Sequence, residues 1–209
     1  MRTQKAVFKG PAGAIEGLID TPDPDRFPKP LGTAVIAHPH PQFGGTMTNK
    51  VVHTIARACV ERGWRAARFN YRGVGASAGS YDEGRGETAD LLAVVEEAAG
   101  SEPLVLAGFS FGAFVTVRAL GELYPRRPIS RVVLVGTAAE HLRDTPVPEP
   151  LRDMTLAIHG EQDDTVRLAT VLDWARPQSL PITVVPGCEH FFHGQLALLK
   201  TLVMHHIGA

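Results

Sequence analysis

The sequence predicts a single α/β domain over residues 1–209, built on a mostly parallel sheet of about eight strands with helices on both faces. Two observations predict this fold. Short apolar runs alternate with helical patterns along most of the chain, and strands buried on both faces of a parallel sheet have this continuous apolar character. The two N-terminal runs are instead separated by only a tight turn, which indicates an antiparallel hairpin at one edge of the sheet.

The elements follow one another in a regular order. The hairpin strands are predicted at 4–9 and 14–20, on either side of the turn 10–13. Prolines in the stretch 21–30 forbid both a helix and an interior strand, so this stretch should be a surface loop. The remaining strands are predicted at 33–37, 65–69, 103–107, 131–136, 154–159 and 181–185. The helices are predicted near 46–62, 87–99, 111–124, 166–175 and 191–206.

The composition gives no reason to expect a nucleic acid or a membrane as partner. The formal net charge is -1 at pH 7, and charged residues make up 21% of the chain. The charged N-terminus lacks the apolar stretch of a secretory signal, and no apolar run approaches the roughly 20 residues of a membrane span. Cys59 and Cys188 give no disulfide framework and fit a reducing compartment. We therefore expect a cytoplasmic protein, either a monomer or a homodimer.

A G-x-S-x-G motif at residues 108–112 follows an apolar strand and precedes a helical pattern. This strand–turn–helix setting is the one in which the motif presents a nucleophilic serine, here Ser110. The serine adopts a strained backbone conformation, so Gly108 and Gly112 must lack side chains for the strand and the helix to approach each other. The turn is expected to present the Ser110 hydroxyl at the carboxyl edge of the sheet, where function lies in such folds.

A nucleophilic serine needs a base and an orienting acid, and in this fold the acid comes first along the chain. Asp163 lies three residues past the glycine that ends a predicted strand, and it is favoured over Asp164, whose alternative role is to cap the next helix. Glu140, just past the strand 131–136, is the fallback acid. His190 follows the last strand at the junction with the final helix, where a base belongs. His193, one helical turn further on, is expected to be a surface or supporting residue.

A tetrahedral intermediate carries negative charge on oxygen, and two backbone N–H groups must stabilise that charge. The N–H of Phe111, directly after the nucleophile, is the first predicted donor. The second donor belongs to the loop 38–45, in which two prolines carry no N–H. Elimination of the prolines leaves His40, Gln42 and Phe43 as the candidate second donors.

Spacing argues against two other chemistries. Two histidine pairs, at 38 and 40 and at 190 and 193, are potential metal ligands. However, the sequence has no Cys-x-x-Cys motif, His-Glu-x-x-His motif or acidic cluster that would complete a ligand set. The glycines of the stretch 73–79 lack the spacing of a dinucleotide or phosphate loop, and no lysine follows them. Ser77 is then a loop serine rather than a second nucleophile. We expect neither a metal nor a cofactor.

The chain resembles the α/β-hydrolase superfamily from its first hairpin to its last helix. The segments that carry the resemblance are 38–47, 68–75, 107–113 and 186–192. More narrowly, it is similar to the small bacterial group without a cap domain that is akin to dienelactone hydrolases and carboxylesterases. The resemblance implies Ser110, Asp163 and His190 as a catalytic triad, with Phe111 and, by the His-Gly-x arrangement of related enzymes, His40 as oxyanion donors. Dienelactone hydrolases carry cysteine where this chain has Ser110, so their substrate does not transfer to it.

The segment in which lids are usually inserted is short. About 17 residues, 137–153, separate two predicted strands, which allows a loop or one short helix but no lid domain. The pocket should therefore be shallow and open, which suits short acyl esters or the exposed end of a larger molecule. We expect a small-molecule ester substrate and a serine esterase that works through an acyl-enzyme on Ser110. The alternatives are a thioesterase or peptidase with the same triad, and a catalytically silent member that binds a ligand or a partner protein.

Overall fold

Eight strands form one sheet in the computed structural model, which describes residues 1–124, 126–142 and 145–208. The strands are β1 (Arg2–Gly10), β2 (Gly13–Thr21), β3 (Thr33–Ala37), β4 (Arg65–Phe69), β5 (Leu104–Phe109), β6 (Ile129–Val135), β7 (Thr155–Gly160) and β8 (Ile182–Val185). They lie in the order β1-β2-β4-β3-β5-β6-β7-β8. The hairpin β1–β2 is antiparallel, β2 pairs antiparallel with β4, and the later pairs are parallel. The predicted fold class is therefore confirmed, with the hairpin at one edge.

Within the described residues, five α-helices cover the two faces of the sheet. They are α1 (Lys50–Glu61), α2 (Arg85–Ala99), α3 (Phe111–Leu123), α4 (Leu168–Ala175) and α5 (Leu196–Ile207). The apolar sides of α1 and α5 belong to one buried cluster, and those of α2, α3 and α4 belong to the other. Successive residues of β5 alternate between the clusters, with Leu104 and Leu106 in one and Val105 and Phe109 in the other. This alternation explains why the strand is apolar throughout. Among the described residues, none of the helices combines the length and apolar character of a membrane span.

Two helices begin later than predicted, and each follows a side chain that accepts nearby backbone N–H groups: Asn49 before α1 and Asp163 before α4. Helix α1 begins at Lys50 rather than near 46, where the Asn49 side chain accepts the N–H of Val51 and caps the helix. Helix α4 begins at Leu168 rather than 166, and Arg167 is the residue before it. The alternative role considered for Asp164, as the cap of this helix, was therefore wrong.

Helix α5 begins at Leu196, five residues later than predicted, because the stretch before it is a compact turn. The Glu189 carboxylate accepts the N–H groups of Phe191 and His193, and Phe192 has a φ of 55°, which a helix does not allow. His193 consequently lies in this turn and not one helical turn into α5.

The segment between β6 and β7 follows the surface of the domain. Its described residues contain two short 3-10 helices, Ala139–His141 and Glu149–Met154, and no lid domain. Val147 and Leu151 are buried in the cluster beneath α4 and thereby hold the segment against the body of the protein. The carboxyl edge of the sheet next to this segment has no domain inserted above it.

Candidate active site

Ser110 occupies a sharp turn between β5 and α3, with φ 57° and ψ -119°. Residues other than glycine rarely adopt a positive φ, so the turn is strained and must be held by its surroundings. The Ser110 N–H donates to the Val135 carbonyl oxygen at 2.8 Å, and the Ala138 N–H donates to the Ser110 carbonyl oxygen at 3.3 Å. Both bonds fasten the turn to the end of β6.

The glycines on either side of Ser110 allow three backbone segments to meet. A Cβ atom on Gly108 would lie 2.6 Å from the nitrogen of Ala113, and one on Gly112 would lie 2.6 Å from the carbonyl oxygen of His38. These distances are shorter than real Cβ contacts, so neither position has room for a side chain. The predicted crowding at the motif is confirmed, and it also involves the loop after β3.

A chain of hydrogen bonds joins Ser110, His190 and Asp163, all of which are buried. The His190 Nδ1 atom lies 2.6 Å from Oδ2 of Asp163, and its Nε2 atom lies 3.1 Å from Oγ of Ser110. An ionised carboxylate can only accept, so Nδ1 of His190 carries the proton and Nε2 accepts from the serine hydroxyl. The three residues favoured from the sequence therefore lie together in the order serine, histidine, acid.

The Asp163 carboxylate is held in its ionised form by hydrogen bonds. Burial, the largest single influence, raises the pKa of Asp163, but the His190 ring, the Val166 N–H and the nearby imidazoles together keep this pKa below its usual value. Its Oδ1 atom accepts the N–H groups of Thr165 at 3.0 Å and of Val166 at 2.7 Å. The carboxylate is thus fixed by its own turn as well as by His190.

The loops that carry the acid and the histidine are joined to each other by backbone hydrogen bonds. Strands β7 and β8 pair in parallel, so both loops leave the sheet at the same edge. The Glu161 N–H donates to the Val185 carbonyl oxygen at 3.0 Å, and the Gln162 N–H donates to that of Cys188 at 2.9 Å. The rings of Phe109 and Phe191 pack against the His190 ring at centroid distances of 4.9 and 5.0 Å. These contacts fix the distance between the acid and the base.

The alternative acids and the second histidine lie outside this hydrogen-bond chain. Asp164 is exposed, and its carboxylate accepts a weak bond from the Thr165 hydroxyl at 3.4 Å. The Glu140 side chain is 46% exposed and lies 3.8 Å from that of His141. The His193 ring is 69% exposed and bonds to Glu189, as expected of a surface residue.

The loop after β3 carries the second candidate oxyanion donor. Within the described residues, neither the His40 N–H nor the Phe111 N–H donates to another group of the protein. The Gln42 N–H is instead directed at Nδ1 of His40 at 3.3 Å, and the Phe43 N–H donates to the His40 carbonyl oxygen at 3.1 Å. The two favoured donors are therefore the ones left available for a substrate.

The histidines of this loop use their ring nitrogens within the protein. His38 is fully buried, its Nδ1–H donates to the Pro39 carbonyl oxygen at 2.7 Å, and its Nε2 accepts the Tyr71 N–H at 3.1 Å. Burial lowers the pKa of His38 to about 4, so this ring is neutral near pH 7. Nε2 of His40 lies 3.2 Å from the Tyr81 hydroxyl. In the part of the chain that the structure describes, no three metal-binding side chains are grouped to hold an ion.

Ser77 holds the glycine-rich loop 73–79 to the hairpin. Its hydroxyl donates to the Asn70 carbonyl oxygen at 2.7 Å and accepts the Glu16 N–H at 2.9 Å. This serine is structural, as expected.

A parallel sheet with a strained serine turn at its carboxyl edge, followed along the chain by an acid and a histidine, defines the class of α/β hydrolases. The profile of the α/β-hydrolase fold family matches residues 40–178. The chain therefore belongs to the α/β-hydrolase family.

Individual relatives agree with this assignment over nearly the whole chain. An uncharacterised protein from Rickettsia prowazekii (strain Madrid E) is 31% identical over 200 residues, which cover 88% of this chain and 80% of that protein. The crystal structure of an α/β serine hydrolase without a lid from Xanthomonas campestris is 36% identical, with a TM-score of 0.86 and coverage of 99% of this chain and 94% of that one. The structure of an α/β serine hydrolase homologue from Coxiella burnetii is 35% identical, with a TM-score of 0.84 and coverage of 99% of this chain and 98% of that one.

The crowding at the serine turn predicts that replacing two glycines of α3 by alanine will have opposite effects on the free energy of unfolding. Gly112→Ala should lower the free energy of unfolding by about 1–3 kcal/mol, because the new methyl group meets the carbonyl groups that end β3. Gly121→Ala is the matched control, since nothing lies within 4 Å of its Cβ position and alanine stabilises a helix by roughly 0.5–1 kcal/mol over glycine. Urea unfolding of both variants measures the difference, and equal stabilities would contradict the close approach at Gly112.

Proposed function

We propose that this protein is a serine hydrolase that cleaves short-chain carboxylic esters through an acyl-enzyme on Ser110. The observation that carries the proposal is the hydrogen-bond chain from Oγ of Ser110 to Nε2 of His190 at 3.1 Å and from Nδ1 of His190 to Oδ2 of Asp163 at 2.6 Å. This order gives the serine hydroxyl a base and gives the base an acid that fixes its tautomer. Membership of the α/β-hydrolase family and the likeness to lidless serine hydrolases support hydrolysis as the reaction.

In this mechanism the Ser110 oxygen attacks the ester carbonyl carbon while its proton passes to Nε2 of His190. Asp163 stabilises the imidazolium, and the N–H groups of Phe111 and His40 bind the oxyanion. His190 then gives its proton to the departing alcohol, which leaves an acyl group on Ser110. A water molecule, deprotonated by the same nitrogen, attacks this ester and releases the acid.

The surroundings of the serine favour a small acyl group. No lid domain stands between β6 and β7 in the described chain, and the Phe43 side chain on the oxyanion loop is 85% exposed. Four surface depressions of about 370–610 Å³ lie elsewhere, and Ser110, Asp163 and His190 line none of them. The absence of a lid domain from the described chain therefore supports a small acyl group over a long one that would need to be enclosed.

Replacement of the nucleophile tests the reaction type. Ser110→Ala should abolish hydrolysis of p-nitrophenyl acetate, because loss of the serine nucleophile lowers turnover on the order of 10⁶-fold in a well-studied protease. The parent protein should also be labelled at Ser110 by a fluorophosphonate probe, as located by mass spectrometry, whereas the alanine variant should not. A parent that hydrolyses neither esters, thioesters nor amides and takes up no label would instead be a binding protein.

Replacing each of the two neighbouring aspartates in turn tests which of them supports His190. Asp163→Asn should lower kcat by up to about 10⁴-fold, because an amide N–H that faces Nδ1 of His190 forces the proton onto Nε2, which then cannot accept from Ser110. Asp164→Asn is the control and should keep parental kcat, since this carboxylate is exposed and outside the chain of bonds. Circular dichroism verifies that both variants are folded. Near-parental kcat for Asp163→Asn would show that another group supports His190.

A series of p-nitrophenyl esters tests the substrate class. We expect kcat/KM to be highest for acetate or butyrate and to fall from butyrate to palmitate, because no lid domain in the described chain encloses a long acyl group. Matched thioesters and anilides of the preferred acyl group identify the leaving group that the enzyme accepts. A steady rise in kcat/KM up to palmitate would rule out the short-chain proposal but leave the Ser110 mechanism intact.

A further inference from the structure

His159 lies behind the acid of the site and has no part in the chemistry described above. It is the penultimate residue of β7, and its side chain and that of Asp163 are 1% and 0% exposed. Its Nε2 atom lies 2.9 Å from the Val166 carbonyl oxygen and 3.4 Å from Oδ2 of Asp163. The ring thus contacts both the carboxylate and the turn that carries it.

The neighbours of His159 fix its protonation. Both groups that face Nε2, the Val166 carbonyl and the Asp163 carboxylate, can only accept, so Nε2 carries a proton. Nδ1 is buried and has no hydrogen-bond partner among the described residues. An imidazolium would leave a second N–H buried without an acceptor there, and burial accordingly lowers the pKa of His159. The ring is therefore neutral, and its single N–H donates to the Val166 carbonyl oxygen at 2.9 Å and lies 3.4 Å from Oδ2 of Asp163.

The Asp163 carboxylate is surrounded by donors that fix the plane in which it lies. Its Oδ1 atom accepts two backbone N–H groups, one of them from Val166, and its Oδ2 atom lies between the rings of His190 and His159. Val166 donates to the carboxylate through its N–H and receives the His159 proton on its carbonyl oxygen. His159 consequently supports Asp163 both directly and through the turn 163–166.

We propose that His159 is a positioning residue that holds the Asp163 carboxylate in the orientation in which Oδ2 receives the Nδ1–H of His190, an inference that rests on the proposed function of the triad. Without this N–H, Oδ2 keeps His190 as its donor but loses the contact that opposes rotation of the carboxylate. The His190 ring then spends less time with Nε2 directed at Ser110, so the proton transfer slows while the open substrate site is unchanged.

Three substitutions at this position test the proposal. In His159→Gln the side-chain amide reaches the place of Nε2, whereas in His159→Asn it is too short and in His159→Leu the donor is absent. We expect kcat for p-nitrophenyl acetate to fall on the order of 10- to 100-fold in the Asn and Leu variants with KM little changed, and to be mostly retained in the Gln variant. Thr155→Val is the control, because it removes a buried hydrogen bond at the other end of the same strand. It should lower the melting temperature without lowering kcat.

A double substitution distinguishes positioning from a general loss of packing. Once Asp163→Asn has removed the carboxylate, His159→Asn should lower kcat little further, because there is no carboxylate left to orient. Additive losses in the double variant, or parental kcat in both the Asn and Leu variants, would overturn the role of His159. A parent that takes up no fluorophosphonate at Ser110 would overturn the proposed function itself, so the two failures are distinguishable.

Discussion

The close approach of three backbone segments at the serine turn is the constraint on which the rest of the site depends. Because Gly112 has no side chain, the start of α3 lies directly against the carbonyl groups of Ala37 and His38 at the end of β3. One contact therefore places the nucleophile and the oxyanion loop relative to each other. A positive φ at a residue other than glycine costs roughly 1–3 kcal/mol, and the bonds of Ser110 to Val135 and Ala138 offset that strain. Ser110, the proposed nucleophile, is thus held in place by backbone contacts that do not depend on His190 or Asp163.

The remaining two members of the triad depend on the pairing of β7 with β8. The acid and the histidine are 27 positions apart in the sequence, yet their loops are bonded to each other through the N–H groups of Glu161 and Gln162. The His190 ring is then confined by Phe109, which belongs to the strand that carries the nucleophile. The sheet order β5-β6-β7-β8 consequently determines that serine, acid and base meet at one edge.

The strands and the triad could be predicted from the sequence because their signals are local. Each central strand is a short apolar run, and the glycines of the serine turn stand next to the residue they accommodate. The starts of α1, α4 and α5 were misplaced because local side-chain-to-backbone hydrogen bonds, such as those of the Glu189 carboxylate to two N–H groups, hold the residues before each helix in turns despite the apolar pattern. His159 gave a weak signal, a single polar residue at the end of an apolar strand. The hydrogen bond of His159 to Val166 cannot be predicted from the sequence, because it forms only when the turn after β7 folds back towards the strand.

Three buried histidines lie around the site, and the groups that face their ring nitrogens distinguish one basic nitrogen from the others. His38 carries its proton on Nδ1 and offers Nε2 to the Tyr71 N–H, which does not release a proton near neutral pH. His159 carries its proton on Nε2, and its Nδ1 has no hydrogen-bond partner among the residues that the structure describes. Burial lowers the pKa of both rings, so neither takes up a proton near pH 7. Of the three, His190 alone directs an unprotonated nitrogen at a hydroxyl group, that of Ser110. The proton of the serine therefore has one acceptor, and the acid and backbone groups around His190 decide how well that acceptor is aligned.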